Sequence, residues 1–234
     1  LSMVSLPDFD LNKREKIRDV RYINRATKGV YELGSVFKTF TVAAGLDEGL
    51  IKPETKFLNL KKKIFCSKYT IKEYDDKIPS DLTVEQILIR SGNIGSVRIG
   101  QKLGIEKFKF FLKKIGILNK IEFDIEEIGQ PILFKWGKCK LATTSYGHGI
   151  TTTPLQVAKG YSIIANGGYD IKPTLIKKDL KNYARKRILN KEISEKINPI
   201  LRKIVTTKEG TAGFANVPGY EVGGKTGTAQ QAIK

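Results

Sequence analysis

The chain has 234 residues, 40% hydrophobic and 28% charged, with 42 Lys and Arg against 24 Asp and Glu for a net charge of +18. That length can bury a full core in one domain, and no run reaches the roughly 18 apolar residues of a membrane span. The basic excess comes without zinc-ligand spacing, ribonucleoprotein motifs or interleaved aromatic platforms, so no nucleic-acid partner is expected.

In chain order, Leu1 to Leu6 alternates weakly, as the end of a strand would, and Asp8 to Arg25 reads as loop with a short helix. Gly34 permits a sharp turn into a helix over Ser35 to Leu46 that stops near Gly49. Pro53 to Ser80 is Lys-rich and irregular, with β-type residues at Tyr69-Thr70-Ile71. Thr83 caps a helix running to Arg90, and a further helix is predicted over Ile94 to Leu103. Ile105, Phe108, Phe111, Leu112 and Ile115 recur at helical spacing with lysines opposite, which predicts an amphipathic core helix. Thr153-Pro154 opens another helix that ends at Asn166-Gly167. Glu192 to Thr207 is helical, with Pro199 expected to kink or split it. Tyr220 to Ala229 reads as a strand. Helices in the middle with strands toward the ends give an α+β class. The basic clusters at Lys61 to Lys63, Lys107 to Lys114 and Lys177 to Arg187 read as solvated faces. Cys66 and Cys139 fit no metal or redox motif; two free thiols and a disulfide are both open.

Three short segments carry chemistry. Ser35 and Lys38 stand at i and i+3 on one helix face. Serine becomes a nucleophile only when a base takes its proton, and a lysine serves only if burial lowers its pKa from about 10.4. Ser91-Gly92-Asn93 lies between two helices, where a hydroxyl can relay a proton and a carboxamide can both donate and accept. Lys225-Thr226-Gly227-Thr228 places a cation, two hydroxyls and a close-approach glycine on an extended edge suited to a substrate carboxylate. Each segment alone is weak. Jointly they supply the parts of an acyl-transfer site.

The wording around these segments resembles class B penicillin-binding proteins across nearly the whole chain. Asn24-Arg25-Ala26 and Gly29 to Lys38 resemble the approach to their active serine, and Gly224 to Gln230 resembles their third motif. Ser145-Tyr146-Gly147-His148-Gly149, followed by Thr153-Pro154-Leu155-Gln156, resembles their core segment, in wording closer to the septal, cell-division type. Leu33 stands where a proline is usual, and Gly92 where many relatives carry aspartate.

The resemblance implies an antiparallel sheet flanked by helices plus a mainly helical lobe. Residues 1–234 would be a transpeptidase domain truncated at both ends, outside which the anchor, the non-catalytic domain and the final strands would lie. It implies a D,D-transpeptidase cross-linking peptidoglycan stem peptides in septal cell-wall synthesis and acylated by β-lactams. Ser35 would be the nucleophile and Lys38 its base. Ser91 would relay the proton and Asn93 hold the substrate amide, while Lys225, Thr226, Gly227 and Thr228 bind the terminal carboxylate. The N–H groups of Ser35 and Thr228 would form an oxyanion hole. No metal or cofactor is expected. The expected setting is the periplasmic side of the bacterial inner membrane, among membrane proteins of the division complex. A related serine hydrolase (β-lactamase or D,D-carboxypeptidase) and a catalytically idle scaffold are the alternatives. His148, the only histidine, reads as a structural hydrogen-bonding residue or an exposed turn, and Glu126 and Glu127 as structural or groove-lining.

Overall fold

The computed structural model describes residues 3–10, 12–13, 19–67, 69–132, 134–177 and 186–228. Its organising element is helix α1, Phe37–Asp47, in which every residue from Phe37 to Leu46 is buried. A helix buried all round must be wrapped by others. Around it pack α2 (Val84–Ile89), α3 (Asn93–Leu103), α4 (Ile105–Lys114) and α7 (Lys191–Thr206). Among the described residues the two remaining α-helices are α5 (Lys138–Thr144), against α3, and α6 (Pro154–Ala165), against α7.

The predicted helices form where capping and periodicity put them. Thr83 and Gln86 exchange the two bonds of a capping box at the start of α2, and Thr153 and Gln156 do the same for α6. Gln156 Nε2 also donates to Asn119 O at 2.5 Å, which fixes the start of α6 to the loop after α4. On α4 the buried face is Phe108, Phe111 and Leu112, with Lys113 and Lys114 in the last turn. Pro199 does not split α7, which runs unbroken with Ile193, Ile197, Ile200, Leu201, Ile204 and Val205 buried along one side. Pro199 faces solvent, so water can satisfy the carbonyl that its missing N–H leaves free. The seven residues of α5 were not predicted; a short Lys- and Thr-containing run carries little helical signal.

Strands are small. Among the described residues, β1 (Lys56–Phe57) pairs antiparallel with β4 (Leu82–Thr83), and β2 (Lys63–Cys66) with β3 (Tyr69–Lys72). In the second pair Lys63 faces Lys72 and Cys66 faces Tyr69. Cys66 is disulfide-bonded to Cys139, with Cα atoms 5.4 Å apart, tying β2 to α5. The helices and antiparallel pairs together give the α+β class. Two predicted strands are corrected. Residues 3–6 enter no ladder, and neither do 220–228, while Leu1, Ser2 and Ala229 lie outside the described residues. A strand needs a neighbour to take its backbone bonds, and here α7 plays that part. Gly224 N donates to Leu201 O at 3.1 Å, and Arg202 Nη1 donates to Val222 O at 2.7 Å.

Candidate active site

Ser35 sits in a 3-10 turn, Gly34–Val36, that runs directly into α1. Several groups seat this turn. Tyr161 donates its hydroxyl to Val36 O at 2.8 Å and lies 2.9 Å from Thr39 Oγ1. The loop after α5 presses on it from the other side: a Cβ on Gly147 would fall 1.8 Å from Gly34 O, so only glycine fits, and Gly147 also has φ +91°. That loop is held in turn by Thr41 Oγ1, which donates to Ser145 O at 2.8 Å. Ser35 itself is half-buried.

Lys38 is fully buried. Its Nζ donates to Ser91 O at 2.5 Å, to Ser91 Oγ at 3.1 Å and to Asn93 Oδ1 at 2.7 Å. Three acceptors match the three N–H bonds of an ammonium, and Ser35 Oγ is not among them. Burial pushes the lysine well below its ordinary pKa, the positive charge of Lys225 adds to this, and Glu73 opposes it. The same contacts join the first two sequence segments.

Ser91 presents both oxygens because its backbone is left-handed, with φ 56° between α2 and α3. A non-glycine residue there costs about 1–3 kcal/mol, a conformation that surrounding structure must enforce. Asn93 is the first residue of α3, and its carboxamide is held at both ends: Oδ1 accepts from Lys38, and Nδ2 donates to Lys72 O at 2.8 Å.

The residue that motif reading missed is Glu73. Its carboxylate accepts from Asn93 N at 2.6 Å and from Ile94 N at 2.9 Å, filling the N-terminus of α3 where no side-chain cap of the helix itself is present. Burial raises its pKa; the two N–H bonds, Lys38 and Lys62 pull the other way. Glu73 lies in the Lys-rich stretch with no spacing pattern to mark it.

The third segment meets the first through a glycine. A Cβ on Gly227 would stand 2.8 Å from both Leu33 O and Val36 Cγ1, so its backbone lies directly against the serine turn. Lys225 Nζ donates to Thr226 O and Thr226 Oγ1, both at 3.1 Å, and Thr226 Oγ1 lies 2.8 Å from Thr211 Oγ1. Burial lowers the Lys225 pKa to about 8. Thr228 is exposed. The eight residues singled out in the sequence therefore occupy one neighbourhood.

His148 makes none of these hydrogen bonds, although it lies near enough for the charge of Lys38 to act on it. Its ring lies 4.7 Å from that of Tyr146, and its buried Nδ1 has no hydrogen-bond partner among the described residues. Burial lowers its pKa. Glu127 accepts from Asn24 N at 2.9 Å, fastening the loop before the serine turn. Glu32 accepts from Gly149 N at 3.0 Å, a contact between the approach to Ser35 and the core segment.

The family model described as penicillin binding protein transpeptidase domain matches residues 1–234. The chain belongs to this family. It is 33% identical to the "Probable peptidoglycan D,D-transpeptidase FtsI" of Caulobacter vibrioides, over 99% of the chain and 39% of that protein. It is 32% identical to "Stage V sporulation protein D" of Bacillus subtilis, over 99% of the chain and 38% of that protein. The chain thus spans about two fifths of the length of these curated relatives. Among solved structures, the transpeptidase domain of Burkholderia pseudomallei penicillin-binding protein 3 superposes with a TM-score of 0.82 at 28% identity, over 89% of this chain and 64% of that one. Penicillin-binding protein 3 of Mycobacterium tuberculosis complexed with ampicillin superposes at 0.79 with 25% identity, over 89% and 50%.

Proposed function

We propose that the chain is the acyl-transfer unit of a peptidoglycan D,D-transpeptidase acting in septal wall synthesis and acylated by β-lactams. The observation that carries this reading is the buried Lys38 ammonium, bonded at once to Ser91 and Asn93 and lowered in pKa by burial and by Lys225.

The roles follow from charge and reach. A Lys38 that has lost one proton gains a lone pair, and takes the proton of Ser35 as Oγ bonds to the carbonyl carbon of the penultimate D-alanine. The carbonyl oxygen becomes an oxyanion, received by the N–H groups of Ser35 and Thr228, a contribution of about 3–4 kcal/mol per donor in such sites. The carbon–nitrogen bond then breaks. The departing D-alanine amine receives the proton from Lys38 through Ser91 Oγ, which already lies 3.1 Å from Nζ. An amine of a neighbouring stem peptide attacks the ester, passes its proton back along the same path and releases Ser35. Asn93 holds the substrate amide, and Lys225 with Thr226, Gly227 and Thr228 holds the terminal carboxylate through a charge-assisted bond.

The domain would work on the periplasmic side of the inner membrane, beside membrane proteins of the division complex. The Cys66–Cys139 bond supports an oxidising compartment. No helix of the described residues is long and apolar enough to cross a membrane.

Incubation with fluorescent penicillin, followed by denaturation and mass mapping, tests the reading. A stable adduct on Ser35 is expected. Label that is lost within minutes would favour a hydrolase, and absence of label would favour a scaffold or a misfolded fragment, which circular dichroism separates.

A further inference from the structure

The β2–β3 hairpin and α3 border a cavity of about 960 Å³, and its charged wall is Lys61, Lys62, Lys63, Lys72 and Arg98 against Glu73 and Asp76. Five cations face two carboxylates, an excess of three positive charges. Elsewhere lysines find acids: Lys107 pairs with Glu48, Lys114 with Asp47, Lys159 with Asp170 and Lys203 with Glu85. Among the described residues no cation of the cavity has a carboxylate within ion-pairing distance. Glu73 offsets part of this charge, since it acts on Lys62, but its carboxylate also faces Lys38 and the N–H groups of Asn93 and Ile94, so it cannot balance the wall.

One exposed cation is held by the backbone. Lys62 Nζ donates to Asp76 O at 2.7 Å and to Ile78 O, which fixes its position without cancelling its charge. Lys63 lies 5.4 Å over the ring of Phe65, another wall residue, so an apolar surface backs the charged heads. A concave, predominantly positive wall raises the potential for anions in the open groove that it borders. The volume lies in the range of small-ligand sites. We propose that this cavity is a second binding site, for a chain bearing two or three closely spaced anionic groups, carboxylate or phosphate. The site adjoins the serine centre through the hairpin: Lys72 O accepts from Asn93 Nδ2, and Glu73 carries the start of α3.

Titration calorimetry on the protein at its full natural length tests this with two probes, tripolyphosphate and tri-glutamate. Binding of at least one is expected with a Kd below about 1 mM, weakening as salt rises. The double variant Lys61→Ala/Lys63→Ala should lose about tenfold or more in affinity, while penicillin labelling of Ser35 proceeds at the unaltered rate. Arg98→Gln, on the α3 side, should weaken the same probe and serves if the double variant fails to fold. Binding of tripolyphosphate alone assigns a phosphate source, of tri-glutamate alone a carboxylate source, and of both a site that reads charge. Absence of binding by either probe overturns the proposal. So does binding that these variants leave unchanged.

Discussion

Two lysines mark two different kinds of ground in this molecule. Lys38 is enclosed by α1, α2 and α3, meets three oxygens and is supported by a strained Ser91 backbone and the Glu73 carboxylate. Lys225 stands on a half-exposed extended segment, bonded among the described residues to its own neighbour and carried by contacts to α7 and the serine turn. Burial lowers both pKa values, and for Lys38 the charge of Lys225 adds to the effect. A base that must surrender a proton needs enclosure, whereas a cation that must keep one and meet an anion needs access. The fold supplies each environment separately.

The largest test of that contrast is removal of the enclosed amine. Lys38→Met keeps the volume but no base, and the second-order rate of penicillin acylation should fall by about 10³-fold, within the range for general bases. Lys225→Ala should fold normally and lose roughly 10- to 100-fold in the same rate, the worth of one hydrogen bond to a charged group. If the two losses were equal, the division of labour would be wrong. Gly227→Ala drives a methyl into Leu33 O and Val36 Cγ1; the segment must then move off the serine turn, at a loss of about tenfold for a cost near 1–2 kcal/mol. Wild-type acylation by a carboxylate-bearing β-lactam should rise with pH as Lys38 loses its proton, then fall near pH 8 as Lys225 loses its own. Because Glu73 holds the Lys38 pKa up, Glu73→Gln should move the rising limb to lower pH and leave the falling limb in place. A rate profile from pH 5 to 10 reads both limbs.

The helical lobe was legible because its signals are local. Thr83 and Thr153 announce helix starts with their own side chains, and the period of Ile105, Phe108, Phe111 and Leu112 shows a buried face without knowledge of what covers it. Ser35, Lys38, Ser91, Asn93 and Lys225 were found through fixed short spacings. Glu73 was not, because its meaning lies in a bond to residues about twenty positions on. The segment at 220–228 was misread for a related reason: its residues favour extension, but whether extension becomes a strand depends on the neighbour, and that neighbour is α7. Pro199 was expected to interrupt a helix whose solvent face tolerates it. The pairing of Cys66 with Cys139 is set by the fold, which brings together two residues 73 positions apart in sequence.

That pairing has a bearing on how the molecule matures. The covalent ring it closes contains α2, α3 and α4, and so includes Ser91 and Asn93 but neither Ser35 nor Lys225. By the chain-entropy relation a ring of this size narrows the unfolded ensemble by roughly 4 kcal/mol. A chain kept in a reducing environment forgoes that narrowing for the middle third of its length alone. The nucleophile would then have to find its proton relay on a less constrained partner, so thiol oxidation and the gain of penicillin reactivity are expected to run together in time.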